Sequence, residues 1–201
     1  MLSDCVTTVF NLQIFSHYLF LRNVNVSKLF DFSNEGFTNM RYKKGQAIKS
    51  EAEGWCFGYS LNWCTRMLKN AAKPKLAQPT SMDAGPLQQK VEMINLDWDG
   101  AVAKVVTELG YNCAAPLSRD WNVLPGVVSE AGNGFYIIDI GHHWVGFGVA
   151  NSKFYYFDAN DGLFEFADKG KFSAFVVKDF KSNYKGDSGF ETGHKGYKIT
   201  S

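Results

Sequence analysis

The stretch Glu51-Ala52-Glu53-Gly54-Trp55-Cys56-Phe57-Gly58-Tyr59-Ser60-Leu61-Asn62-Trp63 constrains this chain most, because it sets a cysteine where a loop turns into a helix. Gly54 supplies a flexible backbone just ahead of Cys56. Phe57, Leu61, Cys64 and Leu68 then recur at intervals of three and four, the period of an amphipathic helix. Cys56 therefore falls in the first turn. Backbone N–H groups there lack partners within the helix, and together with the macrodipole they favour a thiolate over a thiol. A free cysteine titrates near ~8.5, and a helix N-terminus with an imidazolium beside it can hold the thiolate at neutral pH. The plainer role of a cysteine in such a turn is that of a small buried hydrophobe. Cys5, Cys64 and Cys113 have only that reading.

A nucleophile needs a base. Gly134 to Ile140 reads as a strand, Gly141-His142 as a turn, and His143-Trp144-Val145-Gly146-Phe147-Gly148-Val149 as the return strand of a hairpin. Phe154-Tyr155-Tyr156-Phe157 is a further strand, ending in Asp158-Ala159-Asn160-Asp161-Gly162. Antiparallel neighbours bring a histidine at the start of one strand beside an acid at the end of the next, and His143 and Asp158 fit that arrangement. The acid would hold the imidazole in one tautomer and stabilise its charged form, the third role in a nucleophile, base and orienter triad. Adjacent residues of a strand face opposite ways, so only one of His142 and His143 can enter the cleft. His142 is the alternative base. Asp158 and Asp161 also suit the local hydrogen bonding of a turn, and Asp139 that of a solvent-facing strand residue.

These pieces resemble the YopT/AvrPphB class of papain-like cysteine proteases found among bacterial type III effectors. The matching segments are Gly54-Trp55-Cys56-Phe57-Gly58, His143-Trp144-Val145-Gly146 and Phe157-Asp158-Ala159-Asn160-Asp161-Gly162-Leu163-Phe164, spread over Gly54 to Phe180. The resemblance implies Cys56 as nucleophile, His143 as base and Asp158 as orienting acid. It also implies injection into a host cell, without a cleaved signal peptide, and cleavage of a host protein in its cytoplasm. Two positions depart from the pattern. Ala159 stands where the family usually has proline, and the amide that papain-like enzymes place a few residues before the cysteine is missing, Gln46 being the nearest upstream. The oxyanion donors expected are thus the Cys56 backbone N–H and Gln46.

Composition agrees with one compact unit. The 201 residues suffice for a sizeable core, and 21 basic against 20 acidic side chains leave a net charge of +1, which gives no reason to expect nucleic acid. Four cysteines without a C-x-x-C pair indicate neither a zinc ribbon nor a disulfide scaffold. His142 beside His143 lacks a third ligand for a metal, and acyl transfer by a cysteine needs no cofactor. Apolar residues between Val9 and Leu21 are interrupted by Asn11, Gln13, Ser16 and His17, which argues against both a secretory signal and an integral membrane segment.

The expected fold is α+β and papain-like: a helical part carrying the cysteine, packed on an antiparallel sheet carrying His143 and Asp158. Residues 1–45 form an N-terminal extension that is either outside the fold or part of it, 46–180 the papain-like catalytic domain, and 181–201 a loosely ordered tail rich in Gly, Lys, Ser and Thr. Ala71 to Pro86 reads as a long surface loop, Leu87 to Ile94 and Val102 to Leu109 as helices, Asn112 to Pro125 as irregular, Leu124 to Ala131 as a short helix, and Lys171 to Phe180 as the last part of the strand-rich half. The expected reaction is thiolate attack on a protein amide. A glutamine deamidase or transglutaminase would use the same triad, and a catalytically inactive papain-like domain would serve as a binding module.

Overall fold

The computed structural model describes residues 26–31, 54–141, 143–186, 190 and 194–201. In chain order, β1 (Val26–Asp31) precedes the cysteine helix α1 (Cys56–Asn70). A 3-10 turn (Pro74–Ala77) leads to α2 (Ser81–Met93) and α3 (Trp98–Glu108), then to two short strands, β2 (Asn112–Cys113) and β3 (Leu117–Arg119). After α4 (Leu124–Glu130) comes the sheet's centre, β4 (Gly134–Asp139), β5 (Trp144–Ala150), β6 (Lys153–Asp158) and β7 (Gly162–Phe166). Helix α5 (Lys169–Asn183) and β8 (His194–Thr200) complete it. The strands run in the order β1-β7-β6-β5-β4-β8-β2, with β3 also on β8, and every pairing is antiparallel. The fold is α+β, as the sequence implies.

Alternation along the strands feeds two cores, one on each face of the sheet. Phe135 and Ile137 of β4, Tyr155 and Phe157 of β6, and Tyr197 and Ile199 of β8 meet α1 and α3. Tyr136, Ile138, Val145, Phe147 and Tyr156 point the other way, against Phe172, Phe175, Val176 and Phe180 of α5 and Leu124 and Val128 of α4. The strongest local constraint is on the α1 side. Trp63 stacks on Phe157, centroids 5.4 Å apart and 8° from parallel. It occupies the space where a Cβ on Gly146 would stand, 2.4 Å from its ring. Gly58 performs the same service between helices, since a Cβ there would lie 2.0 Å from the Ala84 carbonyl oxygen of α2.

Three expectations are corrected. Ala71 to Pro86 is not a long loop: Thr80 caps α2 at Asp83 N–H, and Pro86 sits inside that helix. The helix survives the lost hydrogen bond because Ala84, Leu87, Gln88 and Val91 are buried, most of the face that meets α1. Lys171 to Phe180 is helix rather than strand; Asp168 accepts from Lys171 N–H, and the buried Phe172, Phe175, Val176, Asp179 and Phe180 follow a helical period. Nor do the described residues of 181–201 make a loose tail. β8 lies between β4 and β2, and His194, Tyr197 and Ile199 are buried. A domain ending at 180 would cut through α5 and omit an interior strand. At the other end, β1 pairs with β7, so part of the N-terminal extension belongs to the sheet.

Candidate active site

Cys56 opens α1. Gly54 adopts φ of +34°, and no side chain caps the helix or places an acid in its first turn. The positive end of the helix is therefore not neutralised from within. Gln88 Oε1 of α2 accepts from Gly58 N–H at 3.1 Å, which fixes the first turn against the second helix. One turn on, the Ser60 hydroxyl donates to the Trp144 carbonyl at 3.0 Å. That bond ties the cysteine helix to the strand residue that follows His143.

His143 and Asp158 meet because of register. Val145 pairs with Asp158 across β5 and β6, so His143, two residues before Val145, lies on the same face and diagonally opposite the acid. Its Nε2 lies 3.0 Å from Asp158 Oδ1, with both side chains buried. The remaining ring nitrogen, Nδ1, is the one available to Cys56, and His143 is hydrogen-bonded to that sulfur as well. Burial opposes the imidazolium, but the Asp158 charge outweighs it, helped by the bonds to Asp158 and Cys56. The His143 pKa is raised to about 10. Asp158 is held below the usual carboxylate range: its complete burial works against ionisation, and the His143 charge with bonds from His143, Tyr184 and the Asn160 N–H prevails.

The acid's surroundings are built by Asn160 of the matched motif together with residues outside it. Asn160 N–H donates to Asp158 Oδ1 at 2.8 Å, an Asx turn on which Ala159 is buried where the family pattern has proline. Tyr184, just past α5, donates its hydroxyl to Asp158 Oδ2 at 2.5 Å and accepts from Asn160 Nδ2 at 3.2 Å. Tyr156 lies 3.1 Å from the same Oδ2 and 2.7 Å from Asp179 Oδ2. Sequence reasoning missed Ser60, Gln88, Tyr156, Asp179 and Tyr184. The usable signal was Asp179, a carboxyl on the apolar face of α5.

The structure thus brings Cys56, His143 and Asp158 together. His142 and Gln46 lie outside the described residues. Phe57, next to Cys56 in the chain, packs edge-on against Trp144 at 5.1 Å, and the half-exposed Trp98 lies 6.1 Å from Trp144. Among the described residues, no helix is long and apolar enough to cross a membrane.

No protein-family model matches the chain, and no curated protein sequence does. Solved structures do match it. The avirulence protein AvrPphB of Pseudomonas superposes with a TM-score of 0.59 at 12% identity, over 73% of this chain and 92% of that one. PatoxP, a cysteine protease-like domain of the Photorhabdus asymbiotica toxin PaTox, gives a TM-score of 0.41 at 13% identity, over 84% and 52%. A ubiquitin-specific protease from a murine cytomegalovirus tegument protein gives 0.43 at 12% identity, over 87% and 84%. The fold resembles that of papain-like cysteine proteases. The likeness to AvrPphB is one of fold.

Proposed function

We propose that this chain is a cysteine peptidase acting on protein substrates, with Cys56 as nucleophile, His143 as acid–base partner and Asp158 as orienter. The observation that supports it is one buried imidazole bonded to both a helix-start cysteine and a buried carboxylate. Cys56 Sγ attacks the substrate carbonyl, forming the C–S bond; the developing oxyanion takes a hydrogen bond from the Cys56 backbone N–H. As the C–N bond breaks, His143 gives its proton to the leaving amine. Water then attacks the thioester, His143 accepts the proton of that water, and thiol and acid are released.

The likeness to the Pseudomonas avirulence protein supports a bacterial effector delivered into a host cytoplasm, where the substrate would be a host protein. The test begins with iodoacetamide alkylation of Cys56, followed by peptide mass across pH, in the parent protein and in His142→Ala and His143→Ala. Rapid reaction well below pH 8 that only His143→Ala slows supports the pair. A Cys56 that reacts no faster than Cys113 in all three proteins overturns it. Product mass then separates a peptidase, with two fragments, from a deamidase, with a gain of about one mass unit.

A further inference from the structure

Behind Asp158 lies a second buried carboxyl that the peptidase reading does not use. Asp179 of α5 is 2% exposed. Its Oδ1 accepts from Asn183 Nδ2 at 2.9 Å, and its Oδ2 lies 2.7 Å from the Tyr156 hydroxyl. The same hydroxyl is 3.1 Å from Asp158 Oδ2. A phenol has one proton, so it can donate to one of these carboxyls and must accept from the other. Asp158 already receives N–H from His143 and Asn160 on Oδ1 and O–H from Tyr184 on Oδ2. A proton from Tyr156 would be the fourth, filling the roughly four acceptor positions of an ionised carboxylate. The proton that completes the chain then belongs on Asp179 Oδ2.

Charge counting leads to the same place. Oxygens of Asp158, Asp161 and Asp179 lie within 4.8 Å of one another, with Asp161 at the partly exposed end. Two buried carboxylates at such spacing do not both ionise readily. Burial, then the Asp158 charge, pushes the Asp179 carboxyl up; the Tyr156 bond opposes this, Asp161 adds to it, and His143 opposes it.

We propose that Asp179 is a neutral carboxylic acid that positions the catalytic carboxylate: its proton goes to Tyr156, the Tyr156 proton goes to Asp158, and Asp158 keeps the negative charge directed at His143. The effect on catalysis rests on the peptidase reading. The protonation of Asp179 does not.

The experiment compares the full chain with Asp179→Asn, whose Nδ2 can donate to Tyr156 while Oδ1 still accepts from Asn183. Difference infrared spectra at pH 7 are expected to lose a protonated-carboxyl C=O band on substitution; loss of ionised-carboxylate bands alone overturns the proposal. Cys56 alkylation in Asp179→Asn is expected within about twofold of the parent at every pH, since the bonds to Tyr156 and Asn183 are kept. A shift of its pH midpoint by about half a unit or more means a charge was removed and overturns the proposal, as does an Asp179→Asn chain that fails to fold. Asp179→Ala and Tyr156→Phe, which break the relay, are expected to slow alkylation about tenfold. Parent-like rates in whichever of the two folds would overturn the positioning role. An unreactive Cys56 in the parent would instead defeat the peptidase reading, and the infrared result would still decide where the proton is.

Discussion

Tyr184 lies flat against His143, ring centroids 4.9 Å apart and 13° from parallel, while its hydroxyl donates to the carboxylate that holds the same imidazole. One side chain thus fixes both the plane of the imidazole and one oxygen of the carboxylate bonded to it. The two functions are separable. Tyr184→Phe keeps the stack and removes a donor to a buried carboxylate, with an expected cost of about 1–3 kcal/mol in denaturant unfolding. Alkylation of Cys56 in that variant is expected to fall a few-fold, and in Tyr184→Ala, which frees the ring as well, by about tenfold or more.

Stability should carry the signature of the buried ion pair. The folded His143 pKa is about 10 against 6.5 for an ordinary histidine, so the folded state keeps a proton that the unfolded state loses between these values. The contribution is full below about pH 6.5 and is lost as pH rises through about 10, with a slope of at most about 1.4 kcal/mol per pH unit. On the acid side the lowered Asp158 pKa works in the opposite sense. Its contribution is present above about pH 4 and is lost as pH falls through its folded value. Denaturant unfolding across pH 6 to 10 should show the alkaline decline in the parent and a flatter profile in His143→Gln; equal slopes would contradict the pair.

The close approaches of α1 predict which glycines are irreplaceable. Gly58→Ala would drive a Cβ against the Ala84 backbone carbonyl, and Gly146→Ala would drive one against Trp63, itself stacked on Phe157. Each is expected to destabilise the fold by about 1–3 kcal/mol and to slow Cys56 alkylation by displacing the helix. Gly126→Ala is the control. It lies in α4 with nothing within 4 Å of the new carbon, and a stability gain of about 0.5–1 kcal/mol is expected from its helix propensity.

Removal of His194–Ser201 should abolish cooperative unfolding followed by tryptophan fluorescence. It would strip β4 of one neighbour and open both cores, because Tyr197 and Ile199 pack on one face and Gly196 sits against Ile138 on the other. A truncated chain that unfolds like the parent would contradict the interior position of β8.

The parts legible in the sequence were those with one unambiguous period. Phe57, Leu61, Cys64 and Leu68 mark α1, and alternation with a turn at Asn151-Ser152, both at positive φ, marks β5 and β6. That register was enough to place His143 beside Asp158. What failed was composition used as a proxy for structure. The lysines, glycine and threonine of β8 conceal an alternation in which Tyr197 and Ile199 share one face. The phenylalanines and valines of α5 suggested a strand, although their spacing is helical and Asp168 precedes them as a cap. Pro86 suggested a loop because the packing of α2 on α1 is a tertiary effect. Around the site, Tyr184 was illegible for a related reason, since it reaches Asp158 from the end of α5 across a distance in sequence that no local pattern encodes, and Asp179 showed only as a carboxyl on an apolar helix face.

The central place of β8 also dictates when the fold can close. It is synthesised after every other described element, yet it fills a position between β4 and β2. While the chain is still being made, the flank of β4 has no strand to pair with, and the layer beneath α1 lacks Tyr197 and Ile199. Non-local strand pairing of this kind comes late and slowly in folding. A nascent chain can therefore hold α1 and the β5–β6 pair before the sheet is complete, and the layer beneath α1 closes only after translation has passed β8.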